Sequence, residues 1–427
     1  MRVMLLGGGG REHALAWSLS RSPQCEGLWC LPGNPGIAAL PGCSCLEGSA
    51  QDPDRVAHLA RELGCDLVVA GPEAPLVAGV ADRLLEAGIA ALGPTRAGAL
   101  LEGSKAFAKE IMREAGIPTA DFMTFADPDQ ARQFIARRPG RWVVKADGLA
   151  AGKGVFPCDS AAQAEQAVRR LMEERVLGGA GERVVIEEFL DGEEASCIAL
   201  TDGSDIVMLP FSQDHKRALD GDRGPNTGGM GAYSPAPVAD GAVAAAVQEK
   251  IFRPLLSALR RRGIEYRGFL YAGLMIDRGQ PRVLEFNVRL GDPETQALLP
   301  RLDCDLLPLL HAAATGSLAG RTVKCLERAA VCVVLAAAGY PGSYSTGHSI
   351  EGLEQAATLP DTWVFHAGTR FQDGRFQTAG GRVLGVTALG DDIGQAVAAT
   401  YRAVAHIRFE GMTFRRDIAH RALGRRK

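Results

Sequence analysis

Residues Trp142–Val155 read WVVKADGLAAGKGV, and the reading of the fold starts there. Trp142–Ala146 is apolar except for Lys145, the pattern of a buried strand that delivers one cation near its end. The turn that follows carries Gly148, Gly152 and Gly154. Small residues let backbone amides approach phosphate oxygens closely, because no Cβ stands in the way. A lysine beside such a loop can neutralise charge on a phosphoryl group in transfer. The stretch is not a P-loop of the G-x-x-x-x-G-K-[ST] type, since Gly154 stands where a hydroxyl is required. Alone, it reads as readily as a glycine-rich hairpin with two surface lysines.

Two stretches further along change that balance. Val184–Leu190 (VVIEEFL) is an apolar strand that runs into Glu187 and Glu188 and breaks before Asp191-Gly192-Glu193-Glu194. Such a strand end can offer backbone groups to a purine, with Glu194 reaching a ribose hydroxyl. Leu284–Arg289 (LEFNVR) alternates strictly, so as a strand it puts Glu285, Asn287 and Arg289 on one face and Leu284, Phe286 and Val288 in the core. A carboxylate and an amide oxygen two residues apart are hard ligands suited to a Mg²⁺ that bridges ATP phosphates. Arg289 can hold a carboxylate or phosphate with both prongs.

From the start to about Leu101, short apolar strands (Val3–Leu6, Asp66–Ala70) alternate with amphipathic segments (Pro53–Leu63, Val77–Ala87). This alternation predicts an open, doubly wound parallel sheet with ligands at the strands' carboxyl ends. The run Gly7–Gly10 sits at such an end, yet it fails the G-x-G-x-x-G test: Glu12 or His13 occupies the third position, and Leu31-Pro32-Gly33-Asn34 offers no acidic residue for a ribose. A dinucleotide site is disfavoured; backbone amides for another phosphate remain. Beyond Gly93-Pro94 the texture predicts a helix over Lys105–Glu114, another over Ala161–Glu174, and strands Phe269–Ile276 and Arg282–Val288 joined at Asp277-Arg278-Gly279. Gly221–Gly231 (GDRGPNTGGMG) has too little apolar content for an element and reads as a mobile loop. From about Lys324, strands at Val331–Leu335 and Gly385–Ala388 and a helix over Gly394–Ile407 suggest a separate α+β unit.

Composition sets outer bounds. A chain of 427 residues implies roughly two to four domains. Its net charge of −3 argues against a general nucleic-acid binder. The ten cysteines are scattered without a C-x-x-C pair, which suits reduced thiols. The apolar run Ala329–Ala338 is too short to cross a bilayer, and the opening Met1–Leu6 ends in glycines rather than in a signal-peptide core. A cytoplasmic protein without membrane or nucleic-acid partners, monomeric or weakly homo-oligomeric, is expected. The basic end (Arg415, Arg416, Arg421, Arg425, Arg426, Lys427) reads as a frayed, solvated tail.

The order of lysine strand, glycine-rich loop, E-E-F-L-x-G-x-E and E-x-N-x-R resembles the ATP-grasp superfamily. Further segments narrow the likeness to the glycinamide ribonucleotide synthetase family: LLGGGGREHALAW (Leu5–Trp17), PGNPG (Pro32–Gly36), GPEAPL (Gly71–Leu76), KADGLAAGKGV (Lys145–Val155), QDHKR (Gln213–Arg217), GPNTGGMGAYSP (Gly224–Pro235) and EFNVRLGDPETQ (Glu285–Gln296). The resemblance implies an α/β chain with an N-terminal Rossmann-like domain over 1–102, a two-lobed α+β ATP-grasp domain over 103–323 with a lid lobe at 118–192, and a small α+β domain over 324–427. It implies an ATP-dependent ligase of glycine and 5-phosphoribosylamine that works through glycyl phosphate. By the same likeness, ATP meets Lys105, Lys145, Gly148, Gly152, Gly154, Glu187, Phe189, Leu190 and Glu194. Glu285 and Asn287 carry Mg²⁺ or Mn²⁺. Lys145 and Arg289 are the catalytic cations, while Gly9, Asn34, Pro35, Glu73, Asp214, Lys216, Arg289 and Gly291 meet the other substrates. Leu274-Met275-Ile276 departs from the superfamily pattern, which often has one more acidic ligand there. Of the tempting histidines His13 and His215, His13 reads as a helix-packing residue rather than a base.

Overall fold

A computed structural model describes residues 1–138, 140–150 and 152–425. The first unit is a five-stranded parallel sheet in the order Cys43–Cys45, Gly27–Pro32, Arg2–Gly7, Leu67–Ala70, Ala90–Leu92. Chain order reverses beside the central strand, the hallmark of a doubly wound sheet. Side chains of a strand alternate between faces. Met4, Leu6, Val68 and Ala70 accordingly pack one apolar layer, while Val3, Leu5, Leu67 and Val69 pack the other. Helices such as Gly10–Ser20 and Pro53–Glu62 cover those layers. The helix expected over Val77–Ala87 is two helices, Glu73–Ala78 and Val80–Glu86. The break falls at Gly79, whose φ of +92° lies in the left-handed region that glycine adopts without a steric cost.

The middle of the chain forms two antiparallel four-stranded sheets. One runs Phe122–Phe125, Val184–Glu188, Trp142–Ala146, Val155–Cys158, with helices Pro128–Ala136 and Ala161–Val168 packed against it. The second helix continues as a wide turn over Arg169–Glu173. The other sheet runs Ile206–Met208, Glu193–Thr201, Gly268–Asp277, Gln280–Asn287. Its last two strands join through Arg278 and Gly279, both with positive φ, the two-residue turn whose twist matches an antiparallel pair. Helix Lys105–Glu114 begins where expected, capped by the Ser104 hydroxyl on the Phe107 amide.

Three expectations need correction. The segment 221–231 is not a featureless loop: Arg223–Asn226 pairs with Arg217–Leu219 as a short hairpin, whose backbone pairing needs no apolar content. The last sheet is not built from the carboxyl-terminal residues alone. Ala329–Ala337, Arg382–Gly390, Thr362–His366 and Met412–Thr413 are extended on one edge by Gly231–Ser234 and Gln213–Asp214. Nor is the basic end frayed as far as it is described. Arg415 is fully buried and Arg421 makes an ion pair with Asp222, while Arg426 and Lys427 lie outside the described residues. Among the described residues, no helix is long and apolar enough to cross a membrane.

Candidate functional site

A cavity of about 720 Å³ opens where the carboxyl ends of the parallel sheet face the two antiparallel sheets. Its wall holds Glu73, Lys105, Lys145, Gly152, Gly154, Glu187, Phe189, Leu190, Glu194, Asp214, Lys216, Glu285, Asn287, Arg289 and Gly291, so most of the candidate residues share one space.

At the phosphate-loop end, Lys145 Nζ lies 3.0 Å from Glu187 Oε1 and donates to the Leu284 carbonyl at 2.9 Å. Lys109 Nζ reaches Glu187 Oε2 at 2.9 Å and the Thr119 hydroxyl at 2.7 Å, so one buried carboxylate sits between two buried ammonium groups. Lys109 escaped the sequence reading, although it stands four residues after Lys105 on one helix face. Burial pushes the Lys109 amine down to about 8, against the pull of Glu187. Burial also lowers the Lys105 amine, with Glu285 opposing; its Nζ donates to the Gly148 carbonyl at 3.3 Å. The base of the loop is fixed by Asp147. Its carboxylate accepts from Ser104 Oγ and the Ala106 amide at 2.8 Å each, and from both prongs of Arg183. Gly152, with φ of +76°, lets the loop turn back over the cavity.

At the apolar end, the strand stops at Glu188, so Phe189 and Leu190 leave the ladder and line the cavity. Arg141 stacks on Phe189 with its guanidinium carbon 4.2 Å from the ring centre. Glu194 lies 2.7 Å from Lys216 Nζ, and that ammonium holds its carboxyl below the usual range.

Glu285 and Asn287 project as the alternation predicts, but Leu284 does not belong to the opposite layer. The register shifts beside Gly273 and Leu274, and the resulting bulge leaves Leu284 lining the cavity with its carbonyl turned to Lys145. Val283, Phe286 and Val288 fill the core instead. The Glu285 carboxylate has no hydrogen bond or ion pair among the described residues. Burial raises its pKa, but the ammonium groups of Lys216, Lys145 and Lys105 outweigh that and hold it ionised. Also among the described residues, no group of three or more His, Cys, Asp or Glu gathers around a point. A cation at Glu285 and Asn287 would thus draw its remaining ligands from a phosphate-bearing substrate, which fits this donor set.

Arg289 is gripped by two carboxylates, Glu102 Oε1 at 2.5 Å from Nη2 and Glu73 Oε2 at 3.2 Å from Nε. Glu102, absent from the sequence reading, also accepts the Val288 amide at 2.9 Å, and burial pushes its carboxyl up to about 7 even beside Arg289. Burial raises the Asp214 carboxyl, against the pull of Lys216 and with Glu294 and Glu194 adding to the rise. Glu294, likewise missed, accepts from the Tyr271 hydroxyl at 2.7 Å and the Ser196 hydroxyl at 3.0 Å. Arg11, Asp292 and Arg382 complete this end, with Arg382 Nη2 3.0 Å from Asp292 Oδ2.

Four candidates stand outside the cavity lining. Gly148 is one residue behind it. Gly9 is at its rim, where an added Cβ would lie 3.6 Å from Asp292 Oδ2. Asn34 is buried; its amide donates to the Gly8 and His366 carbonyls and its oxygen caps the short helix that begins at Pro35, the fourth of these candidates. His13 Nδ1 accepts the His366 amide at 2.7 Å, and burial drives its pKa down to about 3, the state of a packing residue. His215 Nε2 is likewise occupied, by the Ala419 amide at 2.9 Å.

Family models for phosphoribosylglycinamide synthetase match the chain in three pieces: the N domain over residues 1–102, the ATP-grasp (A) domain over 103–295 and the C domain over 330–421. A phosphoribosylamine–glycine ligase of Rhodopirellula baltica is 47% identical over 99% of this chain and 98% of its own. One of Allochromatium vinosum is 49% identical over 100% of both. The crystal structure of the Thermotoga maritima phosphoribosylamine–glycine ligase superposes with a TM-score of 0.85 at 35% identity, covering 98% of this chain and 100% of that one. A biotin carboxylase of Campylobacter jejuni, at 12% identity and a TM-score of 0.72 over 96% of this chain and 92% of its own, shares the fold alone.

Proposed function

The chain belongs to the phosphoribosylglycinamide synthetase family, and from that premise we propose its reaction: ATP-dependent joining of glycine to 5-phosphoribosylamine, giving glycinamide ribonucleotide, ADP and phosphate through glycyl phosphate, as a cytoplasmic step of purine biosynthesis. One observation carries the reading: a glycine-rich loop, a cluster of buried lysines, a free ionised carboxylate and the doubly clamped Arg289 face one cavity at the sheet's carboxyl end.

A carboxylate repels an amine nucleophile and lacks a leaving group. In the first step a glycine carboxylate oxygen bonds to the γ-phosphorus of ATP as the bond to the ADP oxygen breaks. In the second, the phosphoribosylamine nitrogen bonds to the glycyl carbon, phosphate leaves with the carboxyl oxygen, and the amine releases a proton. Such chemistry needs alignment and charge neutralisation more than covalent help. Lys105 and Lys145 would face the phosphates beneath the Gly148–Gly154 loop, which excludes water when closed over them. Glu187, by holding Lys109 and Lys145, orients those cations, and Phe189 and Leu190 offer the apolar contact for the purine, with Glu194 at the ribose. Glu285 and Asn287 would hold Mg²⁺ or Mn²⁺, whose chemistry is to shield and polarise phosphate oxygens. Asp214, Lys216, Arg289 and Gly291 suit glycine, and Glu73 with the Gly9 rim suits the phosphoribosyl side.

The test is phosphate release from ATP with each substrate omitted in turn. Release is expected only when glycine and phosphoribosylamine are both present. Release without glycine, or with another acid in its place, would assign the chain to a different ligation.

A further inference from the structure

The carboxyl-terminal segment lies against the cavity wall that carries Asp214 and Lys216. Arg415, with no exposed surface, donates to Asp417, to Asp222 Oδ1 at 2.8 Å and to the Arg217 carbonyl at 3.2 Å. The Arg416 amide meets Asp220 and the Gly221 amide meets Asp417, each at 2.8 Å. From the short helix His420–Leu423, Arg421 extends into the cavity wall. Its Nη2 donates to Asp222 Oδ2 at 2.9 Å and its Nη1 to the Asp214 carbonyl at 3.2 Å.

The second bond matters because of where Asp214 lies. Gln213–Asp214 is a two-residue strand at the sheet edge, laddered to Ala232 and Tyr233. Gln213, His215 and Lys216 are held by Glu194, Tyr233, Gly231, Met230 and Thr227, while the outward carbonyl of Asp214 at this edge needs a donor of its own. Arg421 is that donor. The Asp214 side chain has no hydrogen bond among the described residues and lies between the attraction of Lys216 and the repulsion of Glu294 and Glu194, so its backbone contributes to setting its direction. Lys216, two residues on, pairs with Glu194 from the same short stretch.

We propose that Arg421 is a positioning residue of the ligation site, holding the Asp214–Lys216 stretch so that both side chains face the bound substrates. It acts through that stretch, not on the reacting atoms, and the inference rests on the reading that Asp214 and Lys216 serve glycine ligation.

Steady-state kinetics of the full chain test it, with Arg421→Ala, Arg421→Lys and, as a control on the same segment, Arg425→Ala, whose side chain meets Glu193 and the Pro237 carbonyl instead. Arg421→Ala is expected to lower kcat/KM for glycine by roughly tenfold or more, the scale of a lost charge-assisted bond. Its melting temperature should stay near that of the parent, and Arg425→Ala should keep parental kinetics. Arg421→Lys, which retains charge but loses the two-pronged hold, should fall in between. Glycine constants within about twofold of the parent in Arg421→Ala, or an equal loss in Arg425→Ala, would overturn the proposal. Should Arg421→Ala melt early, the lysine variant decides, and full activity there overturns the proposal. Failure of the parent to release phosphate in a glycine-dependent way would defeat the underlying reading instead, so the two failures are separable.

Discussion

Replacing Glu187 by alanine strands two ammonium groups in the protein interior. The carboxylate is 2% exposed and stands within 3.0 Å of both Lys109 and Lys145. Removing one partner of such a buried pair costs about 3–5 kcal/mol. Some relief is built in: Lys145 keeps the Leu284 carbonyl and Lys109 keeps Thr119. Lys109 can also shed its proton, because burial already holds it near 8 and the loss of Glu187 lowers it further. The sign follows. Below about pH 8 the stranded proton must be lost at roughly 1.4 kcal/mol per unit, whereas above it the parent's Lys109 is already neutral. Urea unfolding followed by tryptophan emission, with Trp142 in the same sheet, should therefore show a loss of about 3–5 kcal/mol at pH 7 that shrinks markedly by pH 9.5. Adding Lys109→Met should recover a large part of it. A loss under about 1 kcal/mol at pH 7, or one unchanged across that range, would refute the reasoning.

Other consequences can be checked alongside. Lys145→Ala should lower kcat/KM for ATP by roughly tenfold or more in coupled assays; an unchanged value removes it from the phosphate site. Glu285→Ala and Asn287→Ala should abolish turnover while circular dichroism stays parental, and full activity in either would end the cation assignment. Glu102→Gln can still accept the Val288 amide but turns an NH2 group towards Arg289, so it should lose activity as Glu102→Ala does; parental activity in Glu102→Gln would show that the Arg289 contact does not matter. Burial holds His13 near 3 and His366 and His215 near 4, so the folded state binds fewer protons than the unfolded one below about 6.5. Their contribution is complete above that pH and is lost as pH falls towards 4, on the order of 3 kcal/mol for each histidine. Glu102, pushed up to about 7, and Asp214, likewise raised by burial, work in the opposite sense, but three groups outweigh two. The urea midpoint should drop steeply between pH 6.5 and 4, and His13→Gln should flatten that drop.

Much of the molecule could be read along the chain. Periodicity set the core strands and helix Lys105–Glu114, and the chemistry of LEFNVR and the glycine-rich loop picked out side chains that do meet in one cavity. The misreadings share a cause. Leu284 was assigned to the core because strict alternation assumes an unbroken ladder, and the bulge beside Gly273 is set by the partner strand. Asn34 has partners that its motif does not name, the Gly8 carbonyl and, far away in sequence, that of His366. The basic end read as solvated because nothing in its own composition names Asp222 as its partner.

Local pattern and motif thus determined the elements, the fold family and the kinds of group at the site, since backbone periodicity and side-chain chemistry are carried by neighbours in the chain. The tertiary structure alone decided the pairings: Glu102 with Arg289, Lys109 with Glu187, Arg421 with the Asp214 carbonyl. Hydrogen bonds and ion pairs act over a few ångströms of space whatever the separation in sequence, so the partners that aim a functional group stay hidden until the chain is folded.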